Sequence, residues 1–168
     1  MLHYNFEESV GHWICMGSRA FERAMNDELA PRGITYRQAQ VLGWLAFEGD
    51  LSQIDLAERM RIEPPTLVGI LDRMEREGWI RRESCSIDRR RKLIKPLAKA
   101  EPVWSKIIAC AESVRTRGTD GLTVEELATL RRLLGKITRN LCGDSSRGID
   151  TPGDQEQAAM LSHQLQHP

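Results

Sequence analysis

The stretch from Ser52 to Lys95 constrains this chain more than any other part. It holds two helical patterns, SQIDLAERM and EPPTLVGILDRMEREG, then WIRRES, a basic tip IDRRR and finally KLIK. Ser52 followed by Asp55 resembles a capping box, in which the two side chains satisfy each other's free amides at a helix start. Pro64 and Pro65 suit the first turn of the next helix, which needs no amide donors. Leu67, Ile70, Leu71 and Met74 give that helix a buried stripe, and Gly78 stops it. Trp79–Ser84 and Lys92–Pro96 read as two short strands joined by a loop longer than a tight turn.

This order is what a chain needs to lay one helix in a DNA major groove and to hold a cationic loop over the neighbouring backbone or minor groove. Bulk charge hides the signal, because 24 Lys and Arg face 24 Asp and Glu. Residues 81–99 alone carry eight Lys or Arg against two acids, so the basicity is local, as a docking surface requires.

The flanks read as helices. Phe6, Val10, Trp13, Ile14, Phe21, Met25 and Leu29 recur mostly at spacings of three and four, which predicts an amphipathic helix ended by Pro31 and Gly33. Thr35 with Gln38 makes a capping box for a second helix through Val41, Leu42, Leu45 and Ala46, stopping before Gly49. Helical periodicity returns over Ala98–Arg117, with Pro102 tolerable only in the first turn. Thr123 with Glu126 caps a last helix whose Leu127, Leu130, Leu134, Ile137 and Leu141 form a seam for packing along another helix. A unit of about 60 residues cannot cover the apolar faces of both terminal helices, so they are expected to pack against a second copy of the chain. A symmetric dimer presents two reading helices and suits a palindromic site.

Composition excludes other classes. The chain has 168 residues and 40% hydrophobic content, enough for one packed core. No run of 18 apolar residues exists, so no membrane partner is expected, and the N-terminus lacks the basic and apolar regions of a secretory signal. The expected location is the cytoplasm, where Cys15, Cys85, Cys110 and Cys142, widely spaced, are free thiols. The segment from 143 to 168 is polar, rich in turn formers, and read as a disordered tail.

The stretch SQIDLAERMRIEPPTLVGILDRMEREGWIRRESCSIDRRRKLIKPLAKAEP resembles the MarR family of winged helix-turn-helix regulators, its SlyA-like branch in particular. The specific parts are Asp88, Arg89 and Arg90 of the wing and the junction Gly78, Trp79 and Ile80. The resemblance follows helix order over 6–142 and is sharp over 35–102. It implies a mainly α fold with a small β-hairpin wing and long N- and C-terminal dimerisation helices. The domain would span 1–142, with the winged core at about 35–97 and the dimerisation helices at about 6–30 and 98–142. It implies a homodimeric repressor or activator of double-stranded DNA, released by a small aromatic acid or phenolic compound, with no cofactor.

The resemblance also names site residues. Pro65 and Thr66 lie on the turn that faces the major groove, where Thr66 can bond a base or phosphate and Pro65 can pack on a thymine methyl. Gly69 departs from the branch, which usually carries a base-contacting arginine there, so base reading from that turn is either weaker or transferred to Arg73, which lies one turn further on and reaches either a base or only phosphate. Arg89, Arg90 and Arg91 form the wing tip, with Arg90 in the minor groove and Asp88 orienting a neighbouring arginine. Arg81, Arg82 and Lys92 read as strand-face charges that add only long-range field. The effector crevice would be lined by His12, Cys15, Met16 and Arg19 on the first helix and Ala39, Gly43 and Trp44 on the second. Arg19 would pair with a carboxylate unless it pairs with Glu22. The small side chains of Ala39 and Gly43 leave either room for a ligand or close helix packing.

Other readings carry less. Cys15 is placed for a peroxide-sensing regulator, but a sensor thiol needs a depressed pKa and access that sequence does not show. His163 and His167 are one helical turn apart with no third ligand, and His3 and His12 add no metal spacing. No nucleophile elbow, phosphate loop or zinc-protease motif argues for an enzyme. A module whose basic wing binds an acidic protein partner is the remaining alternative.

Overall fold

The structure is a computed structural model that describes residues 4–84 and 91–142. Its residues cluster into two compact units, Met1–Asp120 and Gly121–Pro168. The expectations placed on Asp88, Arg89, Arg90 and the tail from 143 lie outside the described residues.

The first unit begins with α1 (Val10–Leu29). It starts later than the periodicity from Phe6 predicts, because the Ser9 hydroxyl accepts the His12 amide and fixes the cap there. Ahead of that cap the Tyr4 hydroxyl donates to Ser9 Oγ at 2.8 Å, which holds residues 4–9 in a turn. A 3₁₀ turn at Ala30–Arg32 and Gly33, at φ 70°, break the chain before α2 (Tyr36–Glu48). Thr35 and Gln38 form the predicted capping box. Ser52 and Asp55 form the second, opening α3 (Gln53–Met60). Pro64 and Pro65 occupy the first turn of α4 (Pro64–Arg76), and Gly78 just beyond it adopts φ 75°.

The wing strands are β2 (Ile80–Ser84) and β3 (Lys92–Pro96), paired antiparallel from Ile80 opposite Pro96 to Ser84 opposite Lys92. Periodicity missed a third strand, β1 (Leu51–Ser52), which pairs Leu51 with Ile94 and Ser52 with Leu93. Two residues are too few for an alternating pattern, and they merge with the capping signal. The sheet order is β1-β3-β2. A 3₁₀ turn at Ala98–Ala100 leads into α5 (Glu101–Gly118), with Pro102 in its first turn.

The core lies where α1, α2, α3, α4, α5 and the sheet meet. Leu29, Val41, Leu56, Leu67, Leu71, Met74, Ile80 and Ile94 are fully buried. Cys110 is buried beside Ile107 and Val114 on the face of α5 that packs on α1. Each fully buried aliphatic side chain contributes about 1.5–3 kcal/mol from apolar area removed from water. This core fixes α4 relative to the wing. The second unit holds α6 (Val124–Cys142), whose first turn is capped by Thr123 and Glu126 as predicted.

Candidate nucleic-acid interface

α4 has two distinct faces. Leu67, Leu71 and Met74 point inward with no exposed surface. Pro65, Thr66, Gly69, Asp72, Arg73 and Arg76 lie on the opposite, solvent-facing side. The helix start offers few free amides. Two prolines lack N–H groups, and the Thr66 and Leu67 amides both bond the Glu63 carbonyl, at 2.9 and 3.2 Å. The Thr66 hydroxyl is therefore the polar group this turn presents. Gly69 faces open space, since a Cβ built there meets no atom within 4 Å. Further along, Arg73, Arg76 and Lys99 border a shallow cleft that they share with Glu77. Arg76 and Lys99 were not read as site residues. The Arg73–Arg76 spacing of three was a visible signal for the first; Lys99 reaches α4 only through folding, with its chain lying over Gly78.

Among the described residues, most of the basic side chains around the wing are engaged inside the protein. Arg81 pairs with Glu83 at 2.6 Å, and Lys95 bridges Asp50 and Glu83, each at 3.1 Å. Arg82 pairs with Glu75 and, at 2.6 Å, with Asp72, while its own backbone N–H donates to Glu75 Oε1 at 3.0 Å. Arg82 was read as a strand-face charge; it ties β2 to α4 instead. Arg91, read as part of the tip, donates to Asp55 at 2.7 Å and to Ser52 Oγ at 3.0 Å. Burial pushes the Asp55 carboxyl up. The hydroxyl and backbone N–H of Ser52, with Arg91 and Arg59 nearby, outweigh that and hold it below the usual carboxylate range. Lys92 donates to Ser84 Oγ at 2.8 Å.

The residues named for the effector crevice fall into separate settings. His12 sits in an aromatic group, edge-on to Phe6 at 5.4 Å and to Trp13 at 5.7 Å. Cys15, Met16 and Arg19 are exposed on α1. Glu22 pairs with Arg37 at 3.9 Å rather than with Arg19. Ala39 is buried in the core. A Cβ at Gly43 would meet the Trp104 ring at 3.9 Å, an ordinary contact, so the packing of α2 near α5 does not require glycine there. Trp44 is half-buried and packs edge-on to Phe47 at 6.2 Å. The structure thus groups Cys15, Met16 and Arg19 on α1 and accounts for Ala39 as a packing residue.

The MarR family's sequence profile matches residues 32–91, from the 3₁₀ turn before α2 to the residue before β3. The chain belongs to the MarR family. The transcriptional regulator PA3341 is 32% identical to it, with 79% of this chain and 98% of that one covered and a TM-score of 0.72. Apo MarR from E. coli is 26% identical, over 77% of this chain and 96% of that one, with a TM-score of 0.69. A cysteine-to-serine mutant of the same E. coli protein, complexed with operator DNA, is 26% identical, over 80% of this chain and 99% of that one, with a TM-score of 0.69. The protein is a MarR-family DNA-binding transcriptional regulator. Among its described residues no helix is long and apolar enough to cross a membrane, and no group of three His, Cys, Asp or Glu side chains could hold a metal ion.

Proposed function

We propose that this regulator acts as a homodimeric, cytoplasmic repressor of a palindromic operator, released by a small aromatic acid, a phenolic compound or its CoA thioester. The observation that carries the dimer is the outer surface of α1 and the turn before it. Phe6, Val10 and Trp13 are each more than half exposed, and Ile14 and Phe21 remain open as well. Leu130, Leu134 and Leu141 of α6 are open in the same way. Apolar side chains at this density call for a partner surface, and a second copy supplies one by symmetry.

Operator recognition would fall to Thr66, Pro65 and Arg73 on α4, with Asp88, Arg89 and Arg90 at the wing. The relative solved with operator DNA supports DNA binding by this fold, and the exposed face of α4 supports the placing of Pro65, Thr66 and Arg73. Arg19 is the preferred effector contact, because it is exposed and makes no ion pair among the described residues. The test is a thermal-shift screen of aromatic acids, phenols and CoA thioesters, combined with sedimentation at micromolar protein. A dimer stabilised by one ligand class, which then dissociates from duplex DNA, is the expected result. A monomer at those concentrations, or a panel with no shift, would remove the corresponding half of the reading. The exposed thiol of Cys15 favours one second reading, oxidative release. It predicts that peroxide lowers DNA affinity in the wild type and not in Cys15→Ser.

A further inference from the structure

Arg91 is the last residue before β3, and it leans back onto the start of α3 rather than outward. Its Nη2 donates to both Asp55 carboxylate oxygens, at 2.9 and 2.7 Å, and to Ser52 Oγ at 3.0 Å. That carboxylate already accepts the Ser52 amide at 3.2 Å and the Ser52 hydroxyl at 2.7 Å, while Ser52 Oγ accepts the Asp55 amide at 3.2 Å. Ser52 is 1% exposed and is itself a strand residue, paired with Leu93 of β3. The start of α3 and the start of β3 are therefore joined twice, once by the backbone ladder and once by the guanidinium. The ladder to β2 ends at Ser84 opposite Lys92, one residue short of Arg91. Beyond that rung, the described contact holding the chain to the domain is the Arg91 side chain.

We infer that Arg91 is a positioning residue. With Asp55 and Ser52 it sets the base of the wing against the helix-turn-helix, and operator binding depends on it through that geometry, not through contact with DNA. The inference rests on the DNA-binding function of the family. Two physical points favour it over direct contact. The nitrogen that faces the domain already serves three acceptors. The charge is also matched by a carboxylate at hydrogen-bond distance, so the pair as a unit releases few counterions from a phosphate backbone.

The two roles predict opposite responses to one change. Asp55→Asn keeps the shape and the capping acceptor but removes a negative charge close to the DNA-facing side. If Arg91 touched DNA, this variant would bind as well as the wild type or tighter. As a strut, it should bind about fivefold weaker or worse, the scale of a part-exposed ion pair. Arg91→Ala should show a similar loss, and the double variant should be no weaker than the worse single one. Arg91→Lys should recover part of the affinity by keeping one hydrogen bond.

The probe is the duplex that the unaltered protein selects from a random-sequence library, titrated by fluorescence anisotropy at several salt concentrations. The log–log salt slope should stay at the wild-type value in every variant. Hydroxyl-radical footprints should lose protection at the flanks of the site and keep it at the centre. The proposal is overturned if Arg91→Ala alone loses affinity and lowers the slope by about 0.9, the mark of one phosphate contact. It is also overturned if protection fades uniformly with a fallen melting temperature, which would mark a fold-wide role. If the unaltered protein selects no duplex, the DNA-binding reading itself fails. That outcome is distinguishable because it involves no variant.

Discussion

Replacing Arg82 with Ala tests whether the wing is braced against α4 by charge. The Arg82 side chain is 20% exposed and faces Asp72 and Glu75, which are 53% and 40% exposed. Two unit charges about 4 Å apart attract by about 4 kcal/mol at an effective dielectric constant of about 20. Both acids keep much of their hydration, so each pair is discounted to about 0.5–1 kcal/mol. The buried stem of the arginine adds packing that Ala cannot replace. The backbone bond from residue 82 to Glu75 Oε1 survives the substitution. The expected loss is about 2 kcal/mol. With a urea dependence of about 2 kcal/mol per molar, the unfolding midpoint falls by about 1 M at fixed protein concentration. Buried Trp79, next to β2, is a suitable fluorescence reporter. The double variant with Glu75→Gln should lose less than the sum of the single ones, by about 0.5–1 kcal/mol. A midpoint within about 0.1 M of wild type would show that Arg82 is an ordinary surface charge, and the bracing argument would fall.

The lowered pKa of Asp55 predicts an acid limb in stability: the contribution is present above the ordinary carboxylate range and is lost as pH falls below about 4, through the depressed native value. Urea midpoints measured from pH 6 to pH 2 should show a shallower decline for Asp55→Asn; an unchanged profile would mean that other carboxylates carry the limb. Gly69→Arg should fold normally, because the position faces open space, gaining about 0.8 kcal/mol of helix propensity. It should tighten DNA binding and steepen the log–log salt dependence by about 0.9, and weaker binding would place this face of α4 away from DNA. Arg19→Ala should weaken an aromatic acid effector by about 1.5–3 kcal/mol and leave ligand-free DNA affinity unchanged, as read by calorimetry and anisotropy. Loss of DNA binding in that variant would make Arg19 structural.

Local signals carried most of the fold. The capping pairs Thr35–Gln38, Ser52–Asp55 and Thr123–Glu126 and the proline pair at 64–65 depend on neighbours a few residues apart, and all appear as read. The α4 stripe at Leu67, Leu71 and Met74 was legible for the same reason. The miss at the start of α1 came from periodicity running past a cap, since Phe6 continues the spacing while Ser9 sets the boundary. The charges were harder. Arg91 and Asp55 are 36 residues apart, and a run of cations looks the same in sequence whether it faces solvent or a carboxylate. Arg82 was misread on that ground. Gly43 stays open between its two roles, because a Cβ there would make only an ordinary contact with Trp104 of α5.

The internal pairing of the wing cations bears on how this protein divides its time along a chromosome. Attraction to arbitrary duplex grows with the number of cations free to displace counterions. Arg81, Arg82, Arg91 and Lys95 are each matched by an acid of the same domain, and the chain as a whole carries no net charge. Those four cations therefore add less to attraction for arbitrary duplex than their number suggests. Because a genome offers a vast excess of such sequence, a regulator that lets go of it readily keeps more of its copies in circulation.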